Sequence, residues 1–387
     1  MSTGSPLQAR VTARLSALDE HCLIRRLRTP SGFDLSSNDY LGLARHPRIV
    51  QAMTDAAARE GCGSTGSRLL RGHRDLFDEA ETAFAAFKGT ERALYFSSGY
   101  LANLAVLTTF AEAGDVVLSD QLNHASLRDG LRLSAARRIV FNHNDAHALT
   151  DHLASAHGDG QTFVVVESLF SMDGDRAPLA EYATICRDQG AMLIVDEAHA
   201  VGIYGARGSG LIEELGAGDG VFLSVNSGGK ALGVAGAFVA GPAWAIEYLV
   251  QRARPFVFST APPPAIAAAL EAAIDVVADE PERRATVRRR AAALRAALIA
   301  SGAAIEHDDS PIIPIVLGNA DRAMAVAGML QARGFDVRAI RPPTVAEGTA
   351  RLRISVNVGL TDALMDEFVA TLMAALHAAD AWPAVSS

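Results

Sequence analysis

The sequence predicts an α/β protein with three parts: a large domain with a mostly parallel central sheet covered by helices, a smaller C-terminal α/β domain, and an N-terminal arm. Its 387 residues are too many for one simple core. Between about residues 90 and 240, short apolar runs alternate with longer amphipathic ones, which is typical of a parallel sheet covered on both faces. A shorter series of the same kind follows the break at STAPPP (259–264).

Each element is predicted from its own pattern, in chain order. Residues 7–27 have apolar side chains at helical spacing and form the predicted arm helix. The predicted strands of the large domain are RALYFSSG, DVVLSD, RRIVFNH, TFVVVES, AMLIVDEAH, VFLSVNS and GAFVAG. After STAPPP, PERRATVRRRAAALRAAL predicts a long helix, and SPIIPIVLG, AVAGMLQARGFDVRAI, ARLRISVN and TDALMDEFVATLMAAL predict strand, helix, strand and helix. We expect the arm over residues 1–40, the large domain over 41–275 and the small domain over 276–387.

Charge and composition exclude several classes of function. The formal net charge of -9 disfavours broad nucleic-acid binding, which needs a basic face. The N-terminal segment has no apolar core of signal-peptide type, and no uncharged apolar run is long enough to cross a bilayer. We therefore expect a cytoplasmic enzyme with small ligands and without nucleic-acid or membrane partners.

The three cysteines give no sign of a cross-link or a metal site. Cys22, Cys62 and Cys186 lie far apart and form no CxxC pair. The spacing therefore predicts neither a disulfide framework nor a zinc site. We expect buried thiols and no metal.

Polar residues follow the predicted strands at the points where they end. In open α/β sheets, ligands bind outside the carboxyl ends of the strands, so these residues are candidates for one site. The clusters are Ser97 to Gly99, Asp120 to His124, Glu167 with Ser168, Asp196 with His199, and Ser227 with Lys230.

Asp196 and Lys230 carry the most specific prediction. Asp196 ends an apolar strand, where an ionised carboxylate is costly unless a cation or strong donor meets it. Lys230 lies in SVNSGGKALGVAG, where the glycines at 228, 229 and 233 would let its amine approach a cofactor aldehyde. Pyridoxal phosphate sites need a lysine and an acidic partner for the pyridine nitrogen, and this pair supplies both.

Several of these residues also allow a purely structural interpretation or a different function. SSGYLAN is either a serine-capped turn into a helix or a phosphate site at the helix N-terminus. His124 and His199 are either structural or in contact with a planar ring. The DEAH tetrapeptide also occurs in nucleotide-hydrolysing motors, but those need a GxxxxGK[ST] loop, and Ala231 follows Lys230 here.

Ordered blocks along nearly the whole chain resemble the α-oxoamine synthases, which belong to the aspartate-aminotransferase-like (fold-type I) pyridoxal phosphate enzymes. The blocks are SSNDYLGLARHP, GSTGSRLLRGHRDLFDEAETAFAAFKG, FSSGYLANLAVL, DQLNHASLRDG, ESLFSMDGDRAPL, VDEAHAVGIYGARG, GGKALG, FVFSTAPPP and IRPPTVAEGTARLRIS. The resemblance implies this fold, pyridoxal 5'-phosphate as cofactor, and a homodimer with active sites at its interface.

The resemblance also implies roles around the cofactor ring. Lys230 would bond covalently to the cofactor and later move the Cα proton of the substrate. Asp196 would pair with the protonated ring nitrogen, His199 would hydrogen-bond the phenolic oxygen, and His124 would stack on the ring. Glu167 would lie near the ring and the substrate.

Further residues are implied to hold the phosphate. Ser98, Gly99 and Tyr100 would contact it through backbone N–H groups, and Ser227 would add a hydroxyl. Thr260 would reach across from the second subunit. Serine at 227 and tyrosine at 100 stand where the family often has threonine and phenylalanine, and neither change removes a required group.

The implied substrates are an amino acid and an acyl thioester. Asn38 and Arg353 would bind the amino-acid carboxylate, Ser171 would lie near the substrate, and Arg25 would reach the acyl group. STAPPP and IRPPTVAEGTARLR are most similar to members that condense L-alanine with pimeloyl-CoA or pimeloyl-acyl carrier protein. The alternatives are members that use glycine or serine with another acyl-CoA, and a non-catalytic partner subunit, which would lack the lysine.

Overall fold

The computed structural model describes residues 5–156 and 160–379, so the outermost ends of the expected arm and small domain lie outside the described residues. The helices are α1 Pro6–Glu20, α2 Pro47–Glu60, α3 Asp75–Lys88, α4 Gly99–Phe110, α5 Ala125–Leu133, α6 Ala146–Ser155, α7 Leu179–Asp188, α8 Leu211–Glu214, α9 Ala243–Arg252, α10 Arg254–Val257, α11 Pro264–Asp279, α12 Pro281–Ala300, α13 Ala320–Ala332 and α14 Asp362–Ala378. The strands are β1 Phe33–Asp34, β2 Arg92–Phe96, β3 Val116–Asp120, β4 Arg137–Phe141, β5 Thr162–Glu167, β6 Met192–Asp196, β7 Val221–Ser227, β8 Ala237–Gly241, β9 Ile312–Gly318, β10 Phe335–Asp336, β11 Arg338–Ile340 and β12 Ala350–Ser355.

The chain forms two compact units. The larger unit comprises Asn38–Ser171 and Asp175–Val287. The smaller unit comprises the described residues up to Ser37, the short piece Met172–Gly174 and the described residues from Arg288 onward. The division expected from the sequence, with borders after residues 40 and 275, stays a prediction.

The larger unit is built on a seven-stranded sheet in the order β2-β8-β7-β6-β5-β3-β4. Only β8 runs antiparallel to its neighbours, β2 and β7, so the prediction of a mostly parallel sheet is confirmed. The remaining strands point the same way, and their carboxyl ends therefore share one edge. All five residues of β3 and β8 are buried, as expected for strands covered on both faces.

One face of this sheet is covered by α4, α5 and α9. Their inward residues, among them Ala105, Leu127 and Ile246, pack in one apolar cluster with sheet residues such as Val165 and Val225. This packing fixes where α4 and α5 begin, and both helices begin at the carboxyl edge of the sheet.

The smaller unit has its own core. A three-stranded antiparallel sheet, in the order β11-β12-β9, packs with α12, α13 and α14 around residues such as Leu298, Leu330 and Phe368. β11 was missing from the sequence prediction because three residues are too few to show a strand pattern. Of the described helices, none combines the length and low charge that a bilayer crossing requires.

The arm helix is shorter than predicted. It ends at Glu20 instead of continuing to residue 27. The backbone N–H of Leu23 bonds to the carbonyl of Leu18, and Cys22 adopts a left-handed conformation with φ of 56°. This backbone geometry closes a helix at its C-terminus, and apolar spacing alone does not reveal it.

The expectation of buried thiols is wrong for two of the three cysteines. Cys22 and Cys62 are exposed, because each follows the end of a helix in a connecting segment, whereas Cys186 is buried on α7. All three are free thiols.

Candidate active site

The carboxyl edge of the large sheet gathers the candidate residues of the larger unit. Asp196 and Glu167 end the neighbouring strands β6 and β5 and face each other in register. His124 is the N-cap of α5, just after β3. Ser98 caps α4 after β2, and Lys230 lies in the turn between β7 and β8.

Asp196 is a buried carboxylate held by two donors. The side-chain amide of Asn103 lies 2.7 Å from one of its oxygens, and the backbone N–H of Ala198 lies 2.8 Å from the other. Such donors stabilise the ionised form of a carboxylate. Asn103 also donates to Ser126 at 2.9 Å, which ties α4 to α5 at this point. Sequence reasoning missed Asn103, although it is the one amide in the otherwise apolar run of α4.

Lys230 is joined to a chain of hydrogen bonds. Its amine lies 2.8 Å from Nε2 of His199, and Nδ1 of His199 lies 2.8 Å from the hydroxyl of Tyr40. Tyr40 donates to Oδ1 of Asn38 at 3.1 Å. With that direction fixed, Nδ1–H of His199 donates to Tyr40, and Nε2 is left as an acceptor facing the amine. Sequence reasoning missed Tyr40, which only its place beside Asn38 in SSNDYLGL could have suggested.

The chain has two lysines, and the other one is already committed to an ion pair. Lys88, at the end of α3, is buried against the carboxylate of Glu197 and donates to the carbonyl of Ser209 at 2.7 Å. Glu197 also accepts from the backbone N–H of Ile212 at 2.9 Å. The pair thus connects the residue after Asp196 to α3 and α8, and Lys230 is the lysine that remains for covalent chemistry.

His124 offers a neutral ring. Its Nδ1 lies 2.8 Å from the hydroxyl of Ser126 and accepts from the Ser126 backbone N–H at 3.2 Å. Burial lowers the pKa of His124; the charge of Asp196 opposes this shift, and the charge of Lys230 adds to it. An uncharged imidazole beside these groups can stack on a planar ring.

Glu167 is a buried carboxyl with an unused oxygen. Oε2 accepts from the backbone N–H of Ser171 at 3.2 Å, whereas Oε1 is buried without a hydrogen-bond partner. Burial, with the nearby charge of Asp196, raises the pKa of Glu167 to about 8, and the charge of Lys230 opposes that shift. Glu167 is therefore largely neutral at pH 7. Asp196 and Lys230 thus both lie close enough to Glu167 to influence its pKa.

The N-terminus of α4 forms a cradle for an anion. Ser98 accepts a hydrogen bond from the backbone N–H of Leu101 at 3.2 Å, and Gly99 begins the helix. The first N–H groups of a helix carry positive partial charge and can hold a phosphate. The hydroxyl of Tyr100 donates to Asp129, which raises the pKa of Tyr100, so only the backbone of Tyr100 remains for the cradle.

The two hydroxyls implied for the phosphate lie in different surroundings. Ser227 is buried at the end of β7 and accepts from the backbone N–H of Gly229 at 3.2 Å. Thr260 is exposed, in the segment after α10. The next residue, Ala261, donates its backbone N–H to the carbonyl of Gly66 at 2.9 Å, which holds this segment beside the loop of residues 66–72.

The glycines around Lys230 serve packing more than clearance for a cofactor. A Cβ at Gly228 would lie 2.7 Å from the carbonyl oxygen of Ala235, and one at Gly233 would lie 2.6 Å from the backbone of Leu43. A Cβ at Gly229 would make only ordinary van der Waals contacts, the nearest at 3.8 Å from the hydroxyl oxygen of Ser227. The interpretation that all three glycines make room for a cofactor is therefore wrong at 228 and 233, where the protein's own backbone fills the space.

The implied substrate-binding residues are divided between the units. Asn38 belongs to the larger unit. Arg353 and Arg25 belong to the smaller unit, where Arg353 is buried and donates to the hydroxyl of Ser355 at 2.8 Å. Arg25 donates to the hydroxyl of Thr344 at 3.1 Å.

These groups fit a pyridine ring that bears an aldehyde and a phosphate. Asp196 suits a protonated ring nitrogen, the amine of Lys230 suits an aldehyde, and the start of α4 suits a phosphate. The buried Oε1 of Glu167 lacks a hydrogen-bond partner, as expected beside a polar ligand. Within residues 5–156 and 160–379, no group of three or more His, Cys, Asp or Glu side chains could hold a metal ion.

Comparison with known proteins agrees with this chemistry. Residues 30–372 match the family described as aminotransferase class I and II. A relative from Anaeromyxobacter dehalogenans, named 8-amino-7-oxononanoate synthase, is 49% identical over 344 residues, covering 89% of this chain and 86% of the relative. Serine palmitoyltransferase from Sphingomonas wittichii is 30% identical and superimposes with a TM-score of 0.91, over 99% of this chain and 100% of that one. For 8-amino-7-oxononanoate synthase from Francisella tularensis, the identity is 29% and the TM-score 0.77, over 90% and 98% of the chains.

Proposed function

Because the chain belongs to the class I and II aminotransferase family, and within it to the α-oxoamine synthases, we propose that it condenses L-alanine with a pimeloyl thioester. The products are 8-amino-7-oxononanoate, carbon dioxide and the free thiol carrier, in biotin biosynthesis. It is an acyltransferase that depends on pyridoxal 5'-phosphate. The observation that carries this proposal is the 49% identity, across most of the chain, with a relative named for that product.

Pyridoxal phosphate, when bound, draws electrons from the bond that breaks at the substrate Cα. Asp196, held by hydrogen bonds from Asn103 and Ala198, would pair with the ring nitrogen of the bound cofactor and keep a proton on it. Lys230 removes the Cα proton of alanine and later returns a proton to the same carbon. His199 accepts a hydrogen bond from the Lys230 amine and so orients its nitrogen.

The bond changes balance without an outside oxidant. The C–C bond forms between the alanine Cα and the thioester carbonyl carbon, and the C–S bond breaks as the thiol leaves. The alanine carboxylate then leaves as carbon dioxide. We propose that Asn38 and Arg353 hold that carboxylate and that Arg25 reaches the acyl group, since a planar guanidinium suits a carboxylate.

The side chains of His124 and Glu167 add little charge to the site around Lys230 and Asp196 near pH 7. Burial keeps both His124 and Glu167 largely uncharged near pH 7. Preorganised charges such as that of an acidic partner for the ring nitrogen are usually the largest contribution to catalysis. We propose that the His124 ring packs on the cofactor and that Ser171 lies beside the substrate.

We also propose a homodimer in which the partner subunit's Thr260 completes the phosphate site. The loop of residues 66–72 and the segment around Thr260 are hydrogen-bonded together, and each presents an exposed apolar side chain. Leu70 is 82% exposed and Phe258 is 72% exposed. Exposed apolar surface of this kind marks a protein interface.

The three free thiols support a reducing compartment, and we propose the cytoplasm.

Substrate profiling tests the activity. Purified enzyme with pyridoxal phosphate is assayed with alanine, glycine and serine against pimeloyl-CoA, pimeloyl-acyl carrier protein and palmitoyl-CoA, and products are identified by mass. We expect 8-amino-7-oxononanoate from alanine with a pimeloyl thioester. The structural similarity to serine palmitoyltransferase makes serine with palmitoyl-CoA the competing pair. Turnover with that pair alone would overturn the proposal.

A further inference from the structure

One buried amide links two of the groups proposed to contact the cofactor ring. Asn103 lies on α4 and is 2% exposed. Its side-chain nitrogen donates to a carboxyl oxygen of Asp196 at 2.7 Å and to the hydroxyl of Ser126 at 2.9 Å. That hydroxyl lies 2.8 Å from Nδ1 of His124. A continuous chain of hydrogen bonds therefore runs from Asp196 to His124.

The amide of Asn103 is oriented by its partners. A carboxylate only accepts hydrogen bonds, so the amide nitrogen, and not the amide oxygen, must point at Asp196. The second N–H of the same nitrogen is accepted by the hydroxyl of Ser126. The amide oxygen stays buried and has no hydrogen-bond partner among the described residues. Burying an unpaired oxygen is costly, and the two donors are what this asparagine supplies in return.

The same chain determines where the proton of His124 lies. His124 is the N-cap of α5, and its Nδ1 accepts the backbone N–H of Ser126 at 3.2 Å. The Ser126 hydroxyl accepts from Asn103 and can therefore give its own proton to the same ring nitrogen. Nδ1 is thus an acceptor, and the neutral ring carries its proton on Nε2. Burial lowers the pKa of His124, and the positive end of α5 likewise disfavours a charged ring.

We propose that Asn103 is a positioning residue that acts through both of its partners. It holds the carboxyl group of Asp196 for the ring nitrogen and, through Ser126, keeps Nδ1 of His124 an acceptor. This inference rests on the proposed function, in which Asp196 pairs with the ring nitrogen and the His124 ring packs on the cofactor. It adds that one amide on α4 sets the geometry of both groups.

The loss of Asn103 would leave Asp196 with one donor among the described residues, the backbone N–H of Ala198. The terminal torsion of an aspartate is soft, so a single donor lets the other carboxyl oxygen turn away from the ring nitrogen. Leucine has nearly the shape of asparagine and lacks both donors. Since α4 is otherwise largely apolar, Asn103→Leu removes the hydrogen bonds without opening a cavity.

Ligand binding to the full-length, cofactor-free enzyme tests the contact with Asp196. The probes are pyridoxamine 5'-phosphate, which has the ring nitrogen but no aldehyde for Lys230, and its deaza analogue, in which C–H replaces that nitrogen. In Asn103→Leu we expect the Kd of the first probe to rise about tenfold and that of the second by less than about twofold. A merely structural disturbance would weaken both alike. Thr109→Val, the control, changes another buried polar residue of α4 and should alter neither constant.

Nitrogen NMR with isotope-labelled histidine tests the contact with His124 in the same cofactor-free enzyme. The His124 signals are those that disappear in His124→Gln. We expect the proton on Nε2, with Nδ1 as the acceptor. Ser126→Ala removes the hydroxyl and should move the Nδ1 resonance toward that of an unbonded nitrogen, without changing the ratio of the two probe constants. Asn103→Leu should move this resonance in the same direction by less, because the hydroxyl loses the donor that orients it.

Several outcomes would overturn the proposal. Equal weakening of the two probes in Asn103→Leu, or no weakening, would remove the role toward Asp196. A proton on Nδ1 of His124, or an unchanged Nδ1 resonance in Asn103→Leu, would remove the role toward His124. If Asn103→Leu does not fold, Asn103→Ala removes the same donors without adding methyl groups and carries the same expectations.

Asp196→Asn separates this inference from the proposed function. If Asp196→Asn weakens the two probes equally, the proposed pairing of Asp196 with the ring nitrogen is wrong. If Asp196→Asn weakens chiefly the probe with the ring nitrogen and Asn103→Leu does not, the pairing stands and the role of Asn103 is wrong.

Discussion

Asp196 and Glu167 lie close together at the edge of the large sheet, but their carboxyl groups have different hydrogen-bond partners. Both oxygens of Asp196 accept hydrogen bonds, whereas Glu167 is buried with one oxygen unpaired. Burial raises the pKa of Glu167 to about 8, so this carboxyl is largely protonated at pH 7. Two carboxylates side by side would repel each other and compete for the amine of Lys230.

The state of Glu167 can be tested by pH. Its pKa is raised to about 8 in the folded protein, so the folded form holds a proton that the unfolded chain releases above pH ~4.5. Stability should therefore fall as pH rises from about 4.5 to 8. Glu167→Gln removes this loss, and the cofactor-free variant should gain a few kcal/mol over the unaltered protein between pH 5 and pH 9, at about 1.4 kcal/mol per pKa unit.

Thermal unfolding at the two pH values provides the measurement. The exposed Glu112→Gln is the control and should show no such gain. Equal pH dependence in the unaltered protein and Glu167→Gln would mean that Glu167 is ionised throughout this range.

The hydroxyl of Tyr40 should matter to catalysis through His199. In Tyr40→Phe, Nδ1 of His199 loses its partner and the ring is no longer held toward Lys230. We expect kcat to fall roughly tenfold and the pH dependence of kcat to shift, as for a lost buried hydrogen bond next to a proton-transfer group. The matched control is Tyr182→Phe, because Tyr182 is equally buried and its hydroxyl has no hydrogen-bond partner among the described residues. Equal activity in the two variants would refute this role for Tyr40.

At the scale of the elements, the turn between β7 and β8 has a constrained backbone. Gly233 has φ of +70° and lies against the backbone of Leu43, so alanine there is opposed by both conformation and space. Gly190 has nearly the same φ, +67°, but nothing lies within 4 Å of its missing Cβ. The two glycines therefore differ in packing and not in backbone strain.

This contrast gives a matched pair of substitutions. Gly190→Ala should lower the free energy of unfolding by about 1 kcal/mol through its left-handed backbone. Gly233→Ala should lower it by about 3 kcal/mol or more, because overpacking adds to the same strain. It should also reduce turnover by displacing Lys230. Urea denaturation and kcat measure the two effects, and equal destabilisation by both substitutions would contradict the packing argument.

The elements that the sequence predicts well are those with a strong repeating pattern. The seven strands of the large sheet are mostly apolar, and every one of them forms. The end of α1 and the strand β11 were wrong or missing, because a backbone turn at Cys22 and a three-residue strand leave little trace in composition. The partners Asn103 and Tyr40 were missed for another reason, since their contacts depend on how α4 and the segment before α2 pack against the sheet.

At the scale of the whole molecule, the resemblance to the α-oxoamine synthases implied the fold, the cofactor and the substrates, which composition alone does not indicate. Strand ends alone indicated which polar residues share an edge, and Lys230 with Asp196 suggested the cofactor. Arginines far apart in sequence, such as Arg26 and Arg341, line one pocket only in the folded smaller unit, so their proximity could not be predicted from spacing.

The proposed dimer is a prediction at this scale. The unaltered enzyme should have a mass of about twice 40.7 kDa by light scattering. Leu70→Asp/Phe258→Asp places charges in the proposed interface and should shift the enzyme toward the monomer with loss of activity. Leu133→Asp changes another exposed leucine, 66% exposed on α5, and is the control. A monomeric unaltered enzyme with full activity would contradict the prediction.

Lys230 is the residue on which the proposed chemistry depends most, and the composition of the chain makes its bond to the cofactor simple to test. It has two lysines, Lys88 and Lys230, so reduction of the holoenzyme with borohydride followed by peptide mass spectrometry has two possible outcomes for a lysine-bound cofactor. We expect the cofactor mass on the peptide that contains Lys230, and none in Lys230→Ala. Finding it on Lys88, or on neither lysine of an active holoenzyme, would contradict the account.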